Sequence, residues 1–161
     1  MQRKIIPGVI DGQQALCCLG SEATAREAAE VMRERRVGAV MVVEHGGVLK
    51  GIVTERDLVG RLLAEGRDPG STSLAEIMTE NPETLRPDES ALDALAKMQA
   101  GRYRHLPVLD GNDIIGMVSV RDLFEAVRSS LEEELHTAET LIYGEPYGMS
   151  GGGPGTAAAG P

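Results

Sequence analysis

Two stretches of this 161-residue chain nearly repeat each other: GIVTERD at 51–57 and GMVSVRD at 116–122. Thr54 and Ser119 lie 65 positions apart (119 − 54), and so do Asp57 and Asp122 (122 − 57). Such a duplication limits the fold more than any single motif. Each copy must form the same supersecondary unit, and the two must bury their apolar faces together. The likeness extends upstream, where AREAAEVMRERRVG at 25–38 matches ALDALAKMQAGRYR at 91–104 with an offset of 66 (Met98 on Met32). The second copy therefore lacks one residue. A hairpin loop is the place that tolerates the deletion best.

Each copy reads as helix, strand, hairpin, strand, helix. Ala25, Ala28, Ala29 and Met32 recur at helical spacing, as do Leu92, Leu95 and Met98. Val40 to Val43 is a Val-rich strand, and His45-Gly46-Gly47 and Asp110-Gly111-Asn112-Asp113 carry turn chemistry. Leu49 to Val53 and Ile114 to Val118 return as second strands. The final helix is predicted to run long, because Leu123, Val127, Leu131 and Leu135 recur every four residues. Residues 149–161 are Gly, Ala and Pro without an apolar pattern and read as a disordered tail.

With no Trp, one Phe and three Tyr, the core must be aliphatic. A formal net charge of −9 argues against a nucleic-acid partner, which requires a basic face, and against docking on an anionic membrane. The only cysteines, Cys17 and Cys18, are adjacent and poorly placed for an ordinary disulfide. They read as small buried residues, and a cytoplasmic location fits. The N-terminal MQRKIIPG has no signal-peptide core, and the longest apolar run, 37–43, is too short to span a bilayer.

Hydroxyl-x-x-acid at a helix start has two readings. The pair can form a capping box, as Thr24 with Glu27, Ser73 with Glu76 and Ser90 with Asp93 are also placed to do. Alternatively, it stands at a strand-to-helix turn where exposed N–H groups suit phosphate, and an ionised carboxylate can accept both hydrogens of a ribose diol. Gly51 and Gly116, just upstream, suit a close backbone approach. The hydroxyl could cap while the acid binds. No Walker sequence, metal-ligand spacing or nucleophile–base pairing recommends an enzyme.

The two copies together resemble the CBS domain, and the chain resembles a free-standing CBS pair over about 16–127. The resemblance is carried by the two motifs, by IMTENPET at 77–84 and by RHLPV at 104–108. It implies an α/β (α+β) fold of two β-α-β-β-α repeats about a pseudo-twofold axis. The implied organisation is an N-terminal arm at 1–15, repeat 1 at 16–66, a linker at 67–76 and repeat 2 at 77–128, with a helical extension and tail at 129–148. It implies clefts for adenosine-containing ligands such as AMP, ADP, ATP, NAD or S-adenosylmethionine. Asp57 and Asp122 would hold ribose, and Thr54 and Ser119 would contact ribose or phosphate.

Thr79, Asn81, Pro82 and Thr84 would join Thr54 and Asp57, because the segment entering one repeat lines the other's cleft. The matching segment 13–19 departs from the pattern, with Cys18 in the place of Thr84 (84 − 66). Arg104, His105 and Arg121 are candidate phosphate contacts, so the Asp122 site is expected to favour phosphate and the Asp57 site adenine. Adenine would pack on aliphatic groups such as Val40, Met41, Leu106 and Pro107. A homodimer through Leu58, Val59, Leu62, Leu63, Leu123 and Val127 is expected, signalling to an unidentified protein target. The competing expectation is a dimeric scaffold that needs no ligand.

Overall fold

The computed structural model describes residues 3–144, so the tail at 149–161 and the end of the C-terminal extension at 145–148 lie outside the described residues. The chain forms a helical turn α1 (Ile5–Gly8), then β1 (Cys18–Gly20), α2 (Ala25–Arg35), β2 (Ala39–Val43) and β3 (Leu49–Thr54). A short α3 (Glu55–Asp57) runs into a π-helical turn (Leu58–Leu63). The second copy follows as α4 (Leu74–Ile77), β4 (Thr79–Glu80), α5 (Ala91–Gly101), β5 (His105–Asp110), β6 (Asp113–Ser119) and α6 (Val120–Tyr143). Arg128 closes the first compact unit, and the second begins at Ser129, within α6.

The helices start for local reasons. Capping boxes form at Thr24/Glu27, Thr54/Asp57, Ser73/Glu76 and Ser90/Asp93. Ser119 and Asp122 make the same three hydrogen bonds at the start of α6. Each box satisfies N–H groups that a helix terminus otherwise leaves open.

One sheet has the order β1-β2-β3-β4, with β1 parallel to β2 and the other pairs antiparallel. The second sheet pairs β5 with β6 antiparallel, and the strand equivalent to β1 is reduced to a single parallel bridge from Leu85 to Val108. Val43 faces Leu49 and Leu109 faces Ile114, so the first hairpin is one residue longer than the second. The missing residue therefore falls in the turn, as the change of offset predicts. Both hairpins shift register at the matched step, Val42/Val43 and Val108/Leu109.

The segment entering each copy crosses to the core of the other. Leu74, Ile77 and Met78 pack with Ala28, Met32, Val40 and Val53 of the first copy. Ile5 and Ile10 pack with Leu85, Met98, Val108 and Leu123 of the second. Backbone bonds secure the N-terminal crossing: Ile5 N–H donates to Glu89 O at 2.8 Å and Ala91 N–H to Arg3 O at 2.8 Å. Of the leucines expected on a dimer face, Leu62 and Leu123 are instead buried in these cores, whereas Val59 and Leu63 are exposed. The helical period places Val59, Leu62 and Leu63 on one short turn and Leu123 on α6, but does not say which side meets the sheet.

Candidate functional site

The crossing of 77–82 over the first copy leaves a cleft of about 510 Å³, within the range of small-ligand sites. Thr54 and Asp57 form one wall, Thr79, Pro82 and Glu83 another, and residues 101–106 of the second copy close it. Gly51 lets the crossing segment approach. A Cβ there would stand 2.6 Å from Met78 Sδ and 2.9 Å from the Thr79 carbonyl oxygen.

The Asp57 side chain is only 12% exposed, and its two oxygens are divided between tasks. Oδ2 accepts from Thr54 N–H at 2.8 Å and from the Thr54 hydroxyl at 2.9 Å, while Thr54 Oγ1 accepts from Asp57 N–H at 3.3 Å. Oδ1 is left out of the cap and stands 3.6 Å from Arg61 Nε. The capping reading is therefore correct in geometry, yet the cap consumes only one of the two carboxylate oxygens.

Four arginines line the cleft, Arg56, Arg61, Arg102 and Arg104, against the acids Glu55, Asp57 and Glu83. This is a local concentration of cations in a chain of net charge −9. Arg56 also ties the two copies together, donating from Nη1 to Arg102 O at 3.2 Å. The apolar lining comes from Ile52, Val59, Tyr103 and Leu106. Val40 and Met41, expected to face the base, are fully buried.

Arg104 and His105 were expected beside Asp122. His105 stands opposite Ser119 in the β5–β6 register, and both residues also line the cleft of Thr54 and Asp57. The reason is that the two copies meet at the starts of β2 and β5. Gly38 has no side chain, and the His105 ring fills the space: Cε1 and Nε2 lie 3.2 and 3.3 Å from where a Cβ would stand, with Glu55 Oε2 at 3.4 Å. Thr79 and Pro82 reach the cleft as expected, while Asn81 and Thr84 are not on its wall. Asn81 instead donates its N–H to Lys50 O at 3.0 Å, and the Thr84 carbonyl accepts from Lys97 Nζ at 2.9 Å.

The surroundings of Ser119 and Asp122 differ. Ile10 and Gln14 press on β6, where a Cβ at Gly116 would lie 2.5 Å from Ile10 Cδ1, and Gln14 Oε1 accepts from Met117 N–H at 2.9 Å. A side chain here does what the backbone of β4 does beside β3. Arg121 is exposed at the start of α6. Among the described residues, no group of three or more His, Cys, Asp or Glu is placed to hold a metal ion.

Burial holds the His105 imidazolium pKa below its ordinary 6.5, with Arg104 adding to the effect against the opposing pull of Glu55 and Asp122. Its Nδ1 is buried without a partner. The folded protein thus refuses a proton that the unfolded chain accepts. The His105 contribution to stability is constant above the ordinary value and declines as pH falls below it. Denaturation midpoints measured from pH 7.5 down to 5 should decline less for His105→Gln than for the parent. Equal slopes would contradict this assignment.

Sequence reading passed over Arg61, Arg102 and Tyr103. A signal for Arg61 did exist: the matched position in the second copy is Ala126 (61 + 65). A cation present in only one copy is a departure from the repeat.

The CBS domain family model matches residues 3–64 and 74–129. CBS domain-containing protein YhcV of Bacillus subtilis (strain 168) is 40% identical over 119 residues, covering 74% of this chain and 82% of the relative. CBS domain-containing protein CBSX3, mitochondrial, of Arabidopsis thaliana is 36% identical over 138 residues, covering 83% of this chain and 66% of the relative. The chain spans only about a fifth of the length of other matching Arabidopsis proteins. A solved structure of a protein with CBS domains from Burkholderia ambifaria MC40-6 superposes with a TM-score of 0.73 at 31% identity, covering 79% of this chain and 95% of that one. The CBS domain pair of protein MJ0100, solved with 5′-methylthioadenosine and S-adenosyl-L-methionine, superposes with a TM-score of 0.71 at 22% identity, covering 81% and 99%. At that identity the likeness is one of fold. No helix among the described residues is long and apolar enough to cross a membrane.

Proposed function

The chain belongs to the CBS domain family, and on that premise we propose that it is a regulatory module that binds an adenosine-containing nucleotide in the Asp57 cleft. One observation carries this reading: Asp57 caps its helix with Oδ2 and keeps Oδ1 at a cleft lined by both apolar side chains and arginines. A ribose diol would donate to Oδ1, the base would pack on Ile52, Val59 and Leu106, and phosphate would meet Arg102 and Arg104 in the forked geometry that guanidinium offers. That a CBS pair of the same fold binds adenosine derivatives supports the ligand class. The Asp57 cleft therefore takes over the phosphate role first expected at Asp122, and Asp122 becomes the weaker of two sites. The nucleotide would favour one arrangement of the two repeats, shifting a population by its differential affinity, and a partner protein would read the result.

Thermal unfolding with adenosine, AMP, ADP, ATP, NAD and S-adenosylmethionine tests the proposal. A ligand at a hundredfold excess over its dissociation constant should add about 2.7 kcal/mol, on the order of 5–10 °C in Tm for a domain of this size. No shift with any of the six would favour the second reading, a ligand-independent homodimeric scaffold. That reading has its own observation in the exposed Val59, Leu63 and Phe124. The mitochondrial relative leaves an organellar setting as open to this reading as a cytoplasmic one.

A further inference from the structure

Arg61 stands on the π-helical turn with three contacts. Its Nη1 donates to Ile77 O at 2.9 Å and to Met78 O at 2.8 Å, while its Nε faces Asp57 Oδ1 at 3.6 Å. The two carbonyls belong to the place where α4 ends and β4 begins, the segment that crosses between the copies. Terminal carbonyls of a helix need outside donors, and one guanidinium supplies both. Its side chain is 48% exposed, so burial alone does not hold it there. The matched residue of the second copy is Ala126, and the corresponding entering segment is held by Gln14 instead. The tie is therefore a property of the Asp57 cleft and not of the duplicated unit.

We propose that Arg61 couples occupancy of the Asp57 cleft to the segment joining the two repeats. The proposal rests on the nucleotide reading above and concerns its regulation. A ligand hydroxyl donating to Asp57 Oδ1 restrains that carboxylate. The restrained carboxylate holds Arg61 Nε, and Arg61 Nη1 holds the Ile77 and Met78 carbonyls. Ligand, acid, guanidinium and crossing segment become one network, so filling the cleft suppresses opening at 77–81. By linkage, the intact tie must also raise ligand affinity. Arg61 is a positioning residue in this scheme, since it reaches the ligand through Asp57.

Hydrogen exchange can follow the amides of Met78 and Asn81, which donate to Leu74 O at 2.8 Å and to Lys50 O at 3.0 Å. The probe is ATP, with AMP as a second ligand, and calorimetry run alongside reports binding itself. In the parent protein, ATP should slow exchange at both amides about tenfold. In Arg61→Gln, binding should persist with roughly tenfold weaker affinity, and the ligand-dependent slowing should vanish. Arg61→Lys keeps the charge but cannot serve two carbonyls and the carboxylate together, so it should recover less than half of the slowing. Arg61→Lys carries the test alone if Arg61→Gln does not fold. Equal affinity and equal slowing in parent and variants overturn the coupling while leaving the nucleotide reading intact. Absence of binding heat and of slowing in the parent overturns both.

Discussion

Asp57→Ala is expected to abolish nucleotide-dependent stabilisation at its cleft while leaving a folded protein. The substitution removes two things at once. Loss of Oδ2 opens the capping box at Thr54, costing about 1 kcal/mol. Loss of Oδ1 removes the only acceptor proposed for the ribose, and with it the roughly 2.7 kcal/mol that a saturating ligand supplies at a hundredfold excess. The two parts can be separated by a control. Asp93 caps α5 through the same hydrogen bonds to Ser90 but does not line the cleft. Asp93→Ala should therefore show a similar cost to the free protein and a full nucleotide response. Calorimetric titration of both variants decides the matter. If Asp57→Ala still binds with parental affinity, the carboxylate is a cap and nothing more. Asp122→Ala should leave this response intact, because Ser119 and Asp122 lie outside the cleft wall.

The second large effect concerns the arm. Ile5→Ala is expected to destabilise the protein by about 2–5 kcal/mol, the range for a fully buried aliphatic side chain whose removal leaves a cavity. Ile5 is 0% exposed and packs among Leu85, Met98, Val108 and Leu123. Its surroundings are held by strand-like bonds to Glu89 and Ala91 and cannot easily collapse into the space. Ile6→Ala, one residue on and only partly buried, should cost clearly less. Urea denaturation of the two variants measures the difference. A loss below 1 kcal/mol for Ile5→Ala would mean that the arm is an appendage and that the second core closes without it.

The arm also shows how far the sequence can be read. The duplication, the capping boxes, the shortened second hairpin and the Val-rich strands all follow from interactions within a few residues. A hydroxyl three positions before an acid forms its box wherever a helix can begin, and a deleted residue falls in a turn because strands cannot absorb it. The pairing of Thr79 and Pro82 with Thr54 and Asp57 came from the family resemblance, and the structure places those four side chains on one cleft.

Other features depended on where distant segments meet. The pattern MQRKIIPG reads as a polar start with a short apolar run, and nothing local shows that Ile5 completes a core formed about 80 to 120 residues later. Arg104 and His105, expected beside Asp122, also line the Asp57 cleft, because position within a repeat does not reveal how far a side chain reaches into the other copy. That reach comes from the bare Cα of Gly38 lying under the His105 ring. Arg61 drew no reading from the sequence, because its partners are carbonyls 16 and 17 residues away, and backbone carbonyls leave no mark in a sequence. Short-range hydrogen bonding and periodicity are written in residue order. Contacts across a fold are set by the packing of two cores at once, which no single stretch of the chain contains.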